Sequence, residues 1–307
     1  MSSATDATLL SAENEPVTRR GWLLFAAMAV IWGIPYLLIK IAVGELSPLL
    51  IVFGRVGIGA AVIAAVAARR GVLGALRGRL RHVLALALVQ FVGPFVLLTY
   101  GERNSSSLAG VLVATTPIFT GLLAFLVPEA DRPTGIRALG LGVGLAGVAL
   151  VLGLEVRGDL LGGIFCLGTA FGYGVGAHML KRRFAGVPPV AVLAGTLTAA
   201  SLVLLVPAAL SLPAHAPSRG VVAAVVGLGL LPTALAFLLA YTLIAEIGPS
   251  RTSVVAYIAP CFAVVFGVAF LSESIRVATI VGLLAVLAGS WLAARKPVLA
   301  AVPVRVD

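Results

Sequence analysis

The 307-residue chain is 60% apolar and 11% charged, with a mean hydropathy of +1.12, whereas a soluble globular domain carries roughly 25% charge. These proportions exclude a water-soluble enzyme and make a bilayer the solvent of most side chains. The formal charge of +10, from 22 Lys and Arg against 12 Asp and Glu, would suit nucleic acid if it formed one patch on a soluble fold, but here the basic residues stand between apolar runs and read as topology signals.

Residues 1–20 form a polar tail that ends in Arg19–Arg20, and the apolar run behind it has no small-residue cleavage site, so the first helix is expected to be retained. Apolar windows follow near 22–43, 47–68, 82–100, 107–127, 134–153, 160–179, 190–210, 220–244, 252–271 and 276–294. At about 1.5 Å per residue each can cross a hydrocarbon core of roughly 30 Å, which predicts an all-α membrane protein of ten transmembrane helices. The short connections leave no room for a soluble domain, and residues 296–307 are expected to form a cytoplasmic tail.

Basic residues near the helix ends set the orientation. One side collects Arg19, Arg20, Arg69, Arg70, Arg77, Arg79, Arg81, Arg132, Arg137, Lys181, Arg182, Arg183, Arg251, Arg295, Lys296 and Arg305, and the other only Lys40, Arg103, Arg157, Arg219 and Arg276. Both termini are therefore expected in the cytoplasm. Cys166 and Cys261 lie inside apolar segments and read as free thiols that pack like small hydrophobes.

The chain also repeats itself. Tyr100, Pro117, Glu129, Gly140 and Gly147 are followed by Tyr241, Pro260, Glu273, Gly282 and Gly289, and the segments TPIFTGLLAFLVPE and APCFAVVFGVAFLSE are the clearest pair. Trp32–Gly33 against Phe171–Gly172, with Pro48 against Pro188, is a weaker match. Five helices per half is an odd number, so the halves, residues 21–153 and 154–295, are expected to enter the membrane from opposite sides, the inverted plan of secondary transporters.

Ten short-looped helices in two halves, the Trp32–Gly33 start, Arg55 in the second helix and the paired segments ending at Glu129 and Glu273 resemble the EamA-type families of the drug/metabolite transporter superfamily over about residues 20 to 295. The resemblance implies a bacterial inner-membrane protein that exports amino acids, aromatic ones among them, or related small metabolites. It also implies a central cavity lined by helices 1, 3, 4, 6, 8 and 9, with the substrate near the midplane.

Those helices carry residues suited to a cavity. Trp32 and Tyr36 offer stacking surface with a polar handle, and Gln90, Thr116, Tyr173, Thr233 and Tyr257 offer hydrogen bonds at mid-membrane, with Thr115 and Ser253 nearby. Pro94, Pro117, Pro232 and Pro260 free helical carbonyls and permit the bending that alternating access needs, although proline is also simply tolerated in membrane helices. Gly168, Gly172 and Gly176 on helix 6, with Gly174, and Gly140 and Gly144 on helix 5 make smooth faces for close helix packing.

All twelve acidic residues fall in the tails or at helix ends, so no carboxylate is expected at the midplane, and transport is expected to run along the solute gradient. Lys40 and Arg55 are the embedded cations, and such a cavity suits a carboxylate-bearing solute. Lys40 could instead snorkel to the surface, and Arg55 could serve helix-end carbonyls or Glu45. His178 reads as an interfacial residue beside Lys181–Arg183. No nucleophile elbow, zinc-binding pair or phosphate loop is present, so the expected partners are a small molecule and the bilayer, with no cofactor, metal or nucleic acid, and one chain suffices. A sugar-phosphate or nucleotide-sugar carrier is the alternative within transport, and a non-transporting membrane enzyme or scaffold the alternative outside it.

Overall fold

A computed structural model describes residues 17–102, 106–126, 133–155, 160–247, 251–252 and 254–294. Glu129, Ser253, Arg103, Arg132, Arg157, Arg295, Lys296 and Arg305 lie outside the described residues. The chain is all-helical there: α1 (Arg19–Ala42), α2 (Pro48–Arg69), α3 (Leu80–Gly101), α4 (Ser106–Leu123), α5 (Ile136–Glu155), α6 (Leu160–Arg183) and α7 (Pro189–Ala209) come first. Next is α8, running through Arg219–Gly229, Leu230–Leu235 and Ala236–Ile247, then α9 (Val255–Leu271) and α10 (Val277–Ala293). Seven of these, α1 to α4 and α6 to α8, are long and apolar enough to cross a membrane, and the apolar parts of α5 (Ile136–Leu152), α9 and α10 are shorter. Their outer faces stay apolar, as at Leu202, Phe270 and Leu284, which places lipid around the bundle.

The helix starts follow from their caps. Thr18 accepts the Gly21 N–H at 2.9 Å and Ser47 the Leu50 N–H at 3.2 Å, each satisfying an amide that has no partner inside the helix. Pro48 and Pro189 sit in the first turn, where the missing N–H costs nothing.

Three helices are irregular at mid-span. α4 breaks at Ala114–Thr115, immediately before Thr116–Pro117. α3 and α8 widen into π turns over Leu88–Val92 and Leu230–Leu235, which begin 142 residues apart, one in each half. The wider turn closes Gly93 N onto Leu88 O, and Ala236 N onto Leu231 O, and accommodates Pro94 and Pro232 without severing the helix.

The halves interlock. α1 packs on α8 and α9 as α6 packs on α3 and α4, while α2 pairs with α7 and α5 with α10. Exchanging the halves therefore maps these helix pairs onto themselves. α1 runs from an end marked by Arg20 to an end marked by Lys40, but α6 starts at the Lys40 end, where Gly101 leaves no room for a Cβ against Gly162 O at 2.9 Å and Cys166 Sγ at 2.6 Å. The glycines on α5 and α6 do what smooth faces permit: a Cβ on Gly147 would meet Val286 N of α10 at 2.9 Å, and one on Gly172 would meet Pro94 Cγ of α3 at 2.8 Å.

Short polar links fasten the two ends. At the Arg20 end, Glu246 accepts from Thr18 Oγ1 at 2.8 Å and lies 3.9 Å from Arg20. At the Lys40 end, Glu45 Oε2 accepts the Ser218 N–H at 2.6 Å, and Ser47 Oγ donates to Ser211 Oγ at 2.7 Å.

Candidate functional site

The break in α4 and the π turns of α3 and α8 face one another across a central cavity of about 360 Å3, within the size range of small-molecule sites. α1 contributes Trp32, Pro35 and Tyr36, α2 Arg55, α3 Gln90, Phe91, Phe95 and Leu98, and α6 Tyr173 and Ala177. Val113, Thr116 and Pro117 come from α4, Pro232 and Phe237 from α8, and Ala259 and Pro260 from α9. The irregular backbone is thus confined to the surface of a cavity, where freed carbonyls find partners. Thr116 Oγ1 donates at 2.8 Å to the Val113 carbonyl, the one that Pro117 leaves without a helical donor. Thr233 Oγ1 does the same at 2.8 Å for Leu228, the carbonyl left by Pro232.

Arg55 is the charged group in this wall, only 5% exposed. Its Nε donates to Thr233 Oγ1 at 3.0 Å, and its guanidinium carbon lies 3.7 Å from the centre of the Phe95 ring. A stacked plane with one nitrogen tethered is held in a fixed orientation. Arg55 makes no ion pair among the described residues, and Glu45, the acid the sequence suggested for it, is engaged with Ser218 instead. The remaining guanidinium N–H groups are suited to two parallel hydrogen bonds with a carboxylate.

Around Arg55 the wall is aromatic. Phe91 stacks edge-on with Phe95 and Phe237, Phe237 with Trp32, and Phe95 with Tyr173, at ring separations of 5.6 to 6.5 Å. The cavity shares Gln90, Phe91, Ala177 and Phe237 with a second space of about 640 Å3 that extends along α7 to Arg70, Pro188 and Pro189. The two form a passage towards the Arg20 end. Gln90 stands where they meet, and its Oε1 is buried with no hydrogen-bond partner among the described residues.

At the Lys40 end the bundle closes. α9 stops at Ser272, which takes a left-handed conformation with φ 55° and turns Glu273 back towards α4. Glu273 accepts from the Ser106 N–H at 2.8 Å, the Ser107 N–H at 3.0 Å and Ser107 Oγ at 2.6 Å, capping the start of α4 from another helix. Ser106 Oγ donates to Tyr36 O at 3.1 Å, and Lys40 Nζ to Glu102 O at 3.3 Å.

Of the residues singled out in the sequence, the structure brings together Trp32, Tyr36, Arg55, Gln90, Thr116, Tyr173, Pro117, Pro232 and Pro260 on the cavity. Thr233 stands one layer behind, holding Arg55. Tyr257 turns away and donates to Ser290 O on α10 at 3.2 Å. Pro94 packs on Gly172, with its carbonyl accepting from Thr169 at 3.0 Å. Lys40 does not reach the cavity wall or simply snorkel, since its ammonium is held by the Glu102 carbonyl. His178 Nε2 bonds the Thr120 carbonyl at 2.9 Å.

Sequence reasoning did not single out Phe91, Phe95 and Phe237, and it missed the burial of Glu102. Standing at a helix end does not expose it: Glu102 follows α3 directly yet has no exposed surface, with Lys40 of α1 on its backbone carbonyl and Gly162 and Cys166 of α6 beside the neighbouring Gly101. The spacing of Phe91, Phe95, Leu98 and Glu102 puts all four on one helix face, a signal that was available.

A multi-pass helical membrane protein with a central cavity is the class these features define. The chain matches the model of the EamA-like transporter family twice, over residues 19–153 and 160–295, and it belongs to that family. It is 25% identical over 274 residues to the uncharacterized transporter YoaV of Bacillus subtilis (strain 168), covering 87% of this chain and 94% of that protein. It is 28% identical over 257 residues to the uncharacterized inner membrane transporter YedA of Escherichia coli (strain K12), covering 81% and 82%. Among solved structures, one crystal structure superposes with a TM-score of 0.64 over 90% of this chain and 97% of its own, at 23% identity, a likeness of fold.

Proposed function

We propose that the chain exports amino acids or closely related carboxylate-bearing metabolites across a bacterial inner membrane, by alternating access between its two halves and along the solute gradient. The observation that carries this reading is Arg55, a buried guanidinium set against a ring of aromatic side chains with no acidic partner among the described residues. A carboxylate supplies the missing countercharge, and an apolar or aromatic substrate side chain lies against Trp32, Phe91 and Phe237. Ten membrane crossings in two inverted halves and cytoplasmic termini complete the reading, with positive residues crowding the Arg20 end. The passage past Gln90 then opens to the cytoplasm.

The test is flux in proteoliposomes with a labelled panel of aromatic, aliphatic and charged amino acids, the matching decarboxylated amines and a hexose phosphate. Flux of amino acids that is absent for the amines supports the reading. Flux of hexose phosphate alone, or equal flux of amino acids and amines, overturns it.

A further inference from the structure

Glu102 has no exposed surface, and neither carboxyl oxygen has a hydrogen-bond partner among the described residues. The Lys40 ammonium of α1 is bonded to its backbone carbonyl at 3.3 Å. An ionised carboxylate in such a place carries a desolvation cost that the charges of Arg55 and Lys40 offset only in part, and a buried carboxyl in that position takes up a proton instead. We infer that Glu102 is a proton-binding site, and that its proton holds the Lys40 end of the transporter shut.

The surroundings give the link between proton and gate. Glu102 lies one turn beyond Leu98 of the cavity wall and just before α4, whose first amides Glu273 clamps. The charged and titratable groups whose fields reach it or its neighbours are Lys40 and Tyr36 on α1, Arg55 on α2, Tyr173 and Cys166 on α6, and Glu273 after α9. Losing the proton creates an anion that must find water or swing to Lys40, and either move requires the ends of α3 and α4 to separate from α1 and α9. The closed gate binds the proton and the open gate does not, so raising the pH on that face favours opening, by up to about tenfold per pH unit for one linked proton. The proton enters and leaves on one face, so it sets the rate of export without driving it.

The test does not depend on the substrate. In a background with Cys166 and Cys261 replaced by Ala, Val113→Cys places a thiol in the cavity wall behind the gate. Labelling by a membrane-impermeant maleimide added at the Lys40 end is expected to rise as the pH of that face goes from about 5.5 to about 8.5, after correction for thiol ionisation. In Glu102→Gln, a permanent stand-in for the neutral acid, labelling is expected to stay low throughout. Glu45 is an exposed carboxylate on the same face, so both arms are repeated with Glu45→Gln. A carboxylic-acid carbonyl band in infrared spectra of the unsubstituted protein, lost in Glu102→Gln, reports the proton directly and needs no transport. Equal pH dependence of labelling with and without Glu102, or absence of that band at neutral pH, overturns the inference. Silence in the flux panel with pH-dependent labelling retained would strike the substrate reading alone.

Discussion

Arg55 Nε and Thr233 Oγ1 are 3.0 Å apart, and the same hydroxyl donates onward at 2.8 Å to the Leu228 carbonyl freed by Pro232. The π turn of α8 and the charge of the cavity are therefore one construction. The proline opens the helix, the threonine closes the gap, and its spare lone pair fixes the guanidinium. Thr233→Val removes the hydroxyl at nearly constant shape and leaves a buried carbonyl and an N–H unpaired, a loss of about 1–3 kcal/mol. Thermal unfolding in detergent should fall for Thr233→Val and recover in Thr233→Ser. Equal melting temperatures for the three proteins would mean that the relay contributes nothing.

Arg55→Lys tests geometry separately from charge. An ammonium cannot stack flat on Phe95 or present two parallel donors, although it keeps the cation. The affinity for amino-acid substrates, read by titration of tryptophan fluorescence, is expected to drop at least about tenfold for Arg55→Lys and further for Arg55→Met, about 1.4 kcal/mol for each tenfold step. Full affinity in Arg55→Lys would reduce Arg55 to a point charge.

The helices were legible because hydropathy alone sets their length: residues 47–68 became Pro48–Arg69 and 190–210 became Pro189–Ala209. The break in α4 was written in Thr116–Pro117. The π turns were not legible, since one extra residue in a turn leaves hydropathy unchanged. Polar and aromatic residues with a hydrogen-bonding handle pointed to the cavity, whereas Phe91, Phe95 and Phe237 carry none and cannot be told from lipid-facing phenylalanines. Tyr257 looked like a cavity residue for the same reason, but its register on α9 aims the hydroxyl at Ser290. Glu102 was hidden because burial at a helix end depends on what else arrives there.

Glycine packing gives a paired prediction. Gly172→Ala puts a Cβ 2.8 Å from Pro94 Cγ and 2.9 Å from Val89 O, a backbone atom that cannot step aside, so a loss of about 1–3 kcal/mol is expected. Gly142 on α5 has nothing within 4 Å of that point, and Gly142→Ala is expected to gain up to about 1 kcal/mol from helix propensity. Opposite shifts in melting temperature check both at once, and a destabilised Gly142→Ala would show that the open side of α5 is occupied.

The Glu45–Ser218 link carries a pH dependence that lies outside the spanning helices. The Ser218 backbone N–H, donating at 2.6 Å, holds the Glu45 carboxyl below its ordinary range, aided by the start of α8 just beyond. A carboxyl whose folded value is depressed stabilises the fold at pH above its unfolded value, and that stabilisation is lost as the pH falls through the folded value. The bond between the α1–α2 loop and the N-terminus of α8 should therefore persist at neutral pH and give way only in acid. Hydrogen exchange at the Ser218 amide, corrected for its intrinsic rate, is expected to show protection at about pH 6 that disappears near about pH 3, below the carboxylate range. Glu45→Gln should show weak protection at both, because a neutral amide accepts the bond without the charge. Protection that is unchanged between the two pH values in the unsubstituted protein would mean that the Ser218 amide is held by something other than the Glu45 charge.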